Sequence, residues 1–182
     1  MTRGEEKKRS MLGAAFRWML YLLIILLITF FVVHFVGQRT TVNGSSMYPT
    51  LEDGDSLIVD KLTYRFSNPE RYDIVVFPFR YQEDTYYIKR IIGLPGETVQ
   101  IIGGQVYING ELQEDDYGWG NIEKAGLASE PITLGENEYF VLGDNRNNSS
   151  DSREPSVGNV EKGSIIGKAW MRTWPLSKFG PV

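Results

Sequence analysis

The stretch Thr98-Val99-Gln100-Ile101-Ile102-Gly103-Gly104-Gln105-Val106-Tyr107-Ile108-Asn109-Gly110-Glu111-Leu112-Gln113 decides the fold class. Gly103-Gly104 separates two short runs rich in Val, Ile and Tyr, residue types that suit a pleated, half-buried surface. Asn109-Gly110 repeats the signal one run later and joins Gln105–Ile108 to Glu111-Leu112-Gln113. Two-residue hairpin turns need positive φ at both central positions, which Gly adopts freely and Asn tolerates. Three consecutive strands joined this tightly can only run antiparallel.

Working outward, the same grammar recurs. Upstream lie Ser56-Leu57-Ile58-Val59, Asp73-Ile74-Val75-Val76-Phe77 and Tyr86-Tyr87-Ile88-Lys89-Arg90-Ile91-Ile92, the last stopped by Gly93-Leu94-Pro95-Gly96. Downstream lie Glu138–Leu142 and Ser164–Thr173, with residues 114–130 expected as a surface loop. No long helical periodicity occurs in this part. Its roughly 140 residues can bury one core. The fold class expected is mainly β, an antiparallel β-sheet domain preceded by one N-terminal transmembrane helix.

The helix rests on a gap in charge. No charged residue falls between Arg17 and Arg39. A helix over that gap spans about 31 Å, close to the thickness of a bilayer core. The competing reading is a cleaved secretory leader, whose apolar run is about 7–15 residues and ends in a small-x-small site. This run is longer, and Val36-Gly37-Gln38-Arg39-Thr40 offers no Ala-x-Ala. The expected organisation is a cytoplasmic tail over 1–17, an anchor over 18–38 and an extracytoplasmic domain over 39–182. Arg3, Lys7, Lys8, Arg9 and Arg17 precede the span and only Arg39 closely follows it, which keeps the N-terminus in the cytoplasm.

Composition excludes several chemistries. The net charge of −4 and the lack of a basic aromatic array argue against a nucleic-acid partner. There is no cysteine, hence no disulfide framework and no thiolate metal site. The single histidine, His34, falls inside the apolar run, where it reads as a packing or interface residue. A Ser-His-Asp triad in the outer domain is therefore impossible, as are a Cys-His pair and a His-Glu-x-x-His zinc site. A hydrolase built on this domain must use Lys, Asp, Glu or a terminal amine as its base. No metal or other cofactor is expected.

Three segments carry polar chemistry. Val42-Asn43-Gly44-Ser45-Ser46-Met47-Tyr48-Pro49-Thr50-Leu51 follows the anchor closely; by itself it also reads as an ordinary loop. In the strand holding Lys89 and Arg90, alternation sends the two cations to opposite faces. One should point inward and the other to solvent or a carboxylate. A buried lysine tends to become neutral and can then act as a base. The alternative is a pair of solvated charges guarding an edge strand. The third segment, Gly143-Asp144-Asn145-Arg146-Asn147-Asn148-Ser149-Ser150-Asp151-Ser152-Arg153, suits a loop bridging polar groups near a site. It also reads as a hydrophilic turn. As a calcium loop it lacks the EF-hand spacing and the terminal Glu.

Taken in order, these segments resemble the bacterial type I signal peptidases. The resemblance covers the anchor, Gly44–Leu51, Gly54-Asp55, Asp73–Phe77, Lys89–Gly96 and Gly143–Arg153. It implies a β-rich extracytoplasmic serine endopeptidase that removes N-terminal signal peptides from exported preproteins. It also implies Ser46 as nucleophile and Lys89 as general base. Ser149 would orient the lysine amine, and Asp151 with Arg153 would hold the site together. Lys89 matches the bacterial type, because the endoplasmic-reticulum type carries histidine there. Two departures stand out. Some members have serine where this chain has Gly44, so oxyanion stabilisation would rest on backbone N–H groups such as that of Ser46. Glu97 stands where aspartate is frequent, and a structural role is expected for it. The implied partners are signal peptides and a phospholipid membrane. Two rival readings are a non-catalytic tethered β module and a Ser-Lys protease acting on itself, like the self-cleaving repressors.

Overall fold

The computed structural model describes residues 3–31 and 37–182, so the reading of His34 lies outside the described residues. The chain divides into two units, the second comprising Gln38–Val182. In the first, helix α1 covers Arg3–Phe31. Its segment Gly13–Phe30 has a mean hydropathy of 2.0 and no buried residue. By length and composition this helix is able to cross a membrane. It runs without a break through the charged residues expected as a tail, since Glu, Lys and Arg are themselves good helix formers.

The second unit holds twelve strands: β1 Gly37–Thr41, β2 Ser56–Asp60, β3 Ile74–Pro78, β4 Tyr86–Gly93, β5 Thr98–Ile102, β6 Gln105–Ile108, β7 Glu111–Leu112, β8 Ile132–Thr133, β9 Glu138–Leu142, β10 Val160–Glu161, β11 Gly167–Trp174 and β12 Gly180–Pro181. A short helix, α2, covers Thr63–Phe66. One sheet has the order β1-β2-β11-β3-β4-β9-β10, with β12 paired to β11, and a smaller sheet has the order β7-β6-β5-β8. The meander closes as the glycines require: Ile102 faces Gln105 and Ile108 faces Glu111. Both turns have positive φ at both central residues, 58° and 83° at Gly103-Gly104 and 54° and 83° at Asn109-Gly110.

The strand β9 explains how one domain carries several apolar clusters. Its sequence Glu-Tyr-Phe-Val-Leu does not alternate in polarity, because both faces are covered. Phe140 and Leu142 pack with Ile92, Val99 and Val106 toward the small sheet. Tyr139 and Val141 pack with Val75, Phe77 and Ile91 on the other face. A third cluster, Val42, Met47, Leu51, Leu57, Ile74 and Ala169, lies under the segment that bears Ser46.

Three details differ from the sequence expectation. The strand expected from Ser164 starts at Gly167, because residues 162–164 form a 3-10 turn in which Ser164 Oγ donates to Glu161 O at 2.7 Å. The segment 114–130 is irregular, yet Ile122 and Ala128 are buried in the core beneath it. The strands β8, β10 and β12 have two residues each, too few to show a period. Glu97 sits in the turn after β4, where Oε2 accepts the Leu94 N–H at 2.7 Å and Oε1 meets Arg71 Nη2 at 2.5 Å.

Candidate active site

Ser46 lies in a turn pinned from below and from the side. Met47 and Leu51 are buried in the third cluster, and the Leu51 N–H donates to Met47 O at 2.8 Å. Val42 anchors the entry by bonding Asp55 O at 2.8 Å and accepting from the Gly54 N–H at 2.9 Å. Gly44 has φ of 93° and donates its N–H to Asp53 Oδ1 at 2.7 Å. Space exists for a Cβ there, but the backbone conformation is one that side chains rarely adopt. No acceptor is found for the Ser46 N–H among the described residues.

The polar segment after β9 clamps this turn from about a hundred residues away in sequence. The Asn145 N–H donates to Ser46 O at 3.0 Å. Asn145 Nδ2 donates to Ser45 O at 3.1 Å, and Asn148 Nδ2 to Ser45 Oγ at 2.8 Å. Gly143 allows the close approach. A Cβ at that position would collide with Ser149 Oγ and come within 2.5 Å of Ser46 O.

Lys89 reaches the same place from β4. Its Nζ lies 2.8 Å from Ser46 Oγ and 3.0 Å from Ile88 O. Alternation puts Tyr87 and Ile91 on its face, and Nζ is 4.9 Å from the Tyr87 ring centroid. Lys89 is only 4% exposed. Burial pulls its pKa down from 10.5 to about 8, with the carboxylates of Asp151 and Asp144 drawing it partly back up. Neither carboxylate forms an ion pair with it; both are engaged by arginines.

Those arginines form the frame. Arg90, on the opposite face of β4, grips Asp144 through Nε at 2.8 Å and Nη2 at 2.7 Å. It also donates to Tyr72 O at 2.9 Å and Thr50 Oγ1 at 3.3 Å, and its guanidinium lies 3.8 Å from the Tyr117 ring centroid. Arg153 holds Asp151 through Nε and Nη2, both at 2.8 Å, and Asp151 Oδ2 accepts the Gly143 N–H at 3.1 Å.

The fold thus brings Gly44, Ser46, Lys89 and Ser149 to one place and sets the Asp151–Arg153 pair behind them. Ser149 Oγ is buried beside Gly143 and has no hydrogen-bond partner, so it does not bond the Lys89 amine. Asp144, Asn145, Asn148 and Thr50 were not assigned roles from sequence. The polar density of residues 143–153 was the signal, but their distant partners Arg90 and Ser45 were not legible. Among the described residues no group of three or more His, Cys, Asp or Glu side chains could hold a metal ion.

A groove of about 400 Å³ leads to the pair. The end of β1 and Asn43 line one side, and Asp84–Lys89 line the other. Since β4 pairs with β9 only from Arg90 onward, the stretch Tyr86–Lys89 has one edge without a strand partner among the described residues.

Residues 15–174 match the family of signal peptidases, peptidase S26. The chain belongs to that family. It is 42% identical over 160 residues to signal peptidase I of Leptolyngbya laminosa, covering 80% of this chain and 73% of that protein. It is 34% identical over 184 residues to signal peptidase I T of Bacillus subtilis, covering 97% and 94%. A crystal structure of a signal peptidase I from Enterococcus faecalis, 36% identical, aligns with a TM-score of 0.47 over 56% of this chain and 97% of that one. The chain is thus a serine endopeptidase of the signal peptidase I class. The readings as a non-catalytic module and as a self-cleaving repressor-type protease give way to it.

Proposed function

We propose that this signal peptidase is anchored by α1 and removes N-terminal signal peptides from exported preproteins with Ser46 as nucleophile and Lys89 as base. The observation that carries the reading is the 2.8 Å approach of a buried lysine amine, its pKa lowered to about 8, to a serine hydroxyl at the end of a groove. The free edge of Tyr86–Lys89 takes the substrate as an added strand. Neutral Lys89 accepts the Ser46 proton as Oγ attacks the scissile carbonyl. The free N–H of Ser46 stabilises the oxyanion, in a loop where Gly44 supplies no hydroxyl. The ammonium of Lys89 then protonates the leaving amine, and water releases the acyl group.

Arg90 and Arg153 neutralise Asp144 and Asp151, so neither carboxylate pairs with the amine. The domain lies on the extracytoplasmic side, by the basic residues before the span. Enzyme and substrate then share one bilayer, which raises effective concentration. Cleavage follows small-x-small sequences. Incubation of the purified full chain with a preprotein, followed by sequencing of the new N-terminus, tests the reading. A product beginning just after such a sequence supports it; an intact preprotein contradicts it.

A further inference from the structure

The groove beside Lys89 accounts for only one side of the cut. Its lining includes Ser46, Met47 and Ser150 but not Tyr48, Trp119 or Asn145. On that other side stand two exposed aromatic rings in contact. Tyr48 is 38% exposed and Trp119 is 54% exposed. Their centroids lie 5.1 Å apart with the planes at 79°, an edge-to-face pair.

The position of Trp119 is fixed by backbone. Its N–H donates to Asp144 O at 2.7 Å, and it forms a parallel bridge with Asn145. Asn145 in turn donates to Ser46 O at 3.0 Å. Trp119, Asn145 and Ser46 are therefore consecutive layers of one backbone stack. The loop that presents Trp119 is tied down on both sides. Tyr117 stacks on Arg90, Asp115 pairs with the buried Arg146 at 2.5 Å, and Asn147 bonds both Asn121 O and the Glu123 N–H. A loop held this firmly, ending in an exposed tryptophan, is a preformed surface.

We propose that Tyr48 and Trp119 form a shelf for the second and third residues after the scissile bond, and that it favours apolar or planar side chains there. The inference rests on the Ser46–Lys89 reading. With the acyl half of the substrate in the groove, the chain leaving Ser46 must exit past Tyr48, two residues beyond the nucleophile. An aromatic shelf rewards flat apolar contact and gives nothing to a carboxylate.

The test uses the full chain and one preprotein carrying Phe, Gly or Asp at each of these two positions in turn. The parent enzyme should cleave the Phe forms with kcat/KM about three- to tenfold above the Asp forms, the range expected for an aromatic contact. Trp119→Ala should collapse that ratio toward one, mostly through KM, and Trp119→Phe should keep most of it. General damage to the site would lower all substrates together and leave the ratio intact. A parent enzyme without preference, or a Trp119→Ala variant that keeps the ratio, overturns the shelf. A Ser46→Ala variant run alongside separates the two claims, because continued cleavage by that variant sinks the nucleophile assignment instead.

Discussion

Lys89 and Arg90 are equally buried, each 4% exposed, but Arg90 carries a carboxylate on its head group and Lys89 carries none. One strand thus delivers a compensated cation to one face and an uncompensated one to the other. A buried charge without a partner favours its neutral form. The arginine stays charged in any case and is fixed by Asp144, Tyr72 O and Thr50. The lysine is left with a pKa of about 8 and a serine oxygen.

That arrangement costs stability. The folded pKa of Lys89, about 8, lies below the ordinary 10.5. The unfolded chain therefore binds the proton more tightly, and the penalty is fully present below pH 8 and disappears as pH rises toward 10.5. A Lys89→Met variant should be inactive but more stable than the parent at pH 7, by on the order of 3 kcal/mol at most. Denaturant unfolding of the full chain at pH 7 and pH 10 checks this. A parent at least as stable as the variant at pH 7 would show that the lysine is not strained by burial.

The same shift sets the pH dependence of the rate. With the neutral amine as the base in the proposed mechanism, kcat/KM for preprotein cleavage should rise tenfold per unit below about pH 8 and level off above it. A profile already flat by pH 6 would place the titrating base elsewhere.

Breaking the frame should be costly in a different way. Asp144→Asn leaves Arg90 buried with no carboxylate, a change of roughly 3–5 kcal/mol. Thermal unfolding should reveal it as a large drop in Tm. Double replacement with Arg90→Met should recover part of the loss, because both partners of the pair are then gone. A single variant as stable as the parent would mean the pair is dispensable.

Much of this was legible beforehand, and the failures have physical causes. The glycine pairs at 103–104 and 109–110 announced the meander because few other residues accept positive φ twice in succession. The absence of histidine and cysteine from the outer domain narrowed the base to Lys, Asp, Glu or a terminal amine, and the resemblance to the signal peptidases singled out Ser46 and Lys89. One of Lys89 and Arg90 was expected to face solvent or a carboxylate, but nothing local named Asp144, 54 positions from Arg90. The two-residue strands β8, β10 and β12 were invisible because alternation needs length and no turn signal marked them. Gly143 showed no local signal either; its requirement comes from Ser46 O and Ser149, which only the fold brings near.

Gly143 gives a sharp test of packing. Gly143→Ala forces a Cβ against Ser149 Oγ and within 2.5 Å of Ser46 O. It should lower cleavage at least about a hundredfold through displacement of Ser46, at a stability cost of about 1–3 kcal/mol. Adding Ser149→Gly removes only one of the two collisions, so activity should stay low. Full recovery in that double variant would show that Ser46 O is not the obstacle.

The central claim is that Lys89 works as a neutral base on Ser46. Arginine keeps the charge and much of the length of lysine but does not deprotonate. The decisive measurement is preprotein cleavage by Lys89→Arg, at saturating enzyme and pH 8, beside the parent and Ser46→Ala. The account predicts that Lys89→Arg is as inactive as Ser46→Ala, with circular dichroism unchanged. Cleavage by Lys89→Arg at a rate near that of the parent would contradict it.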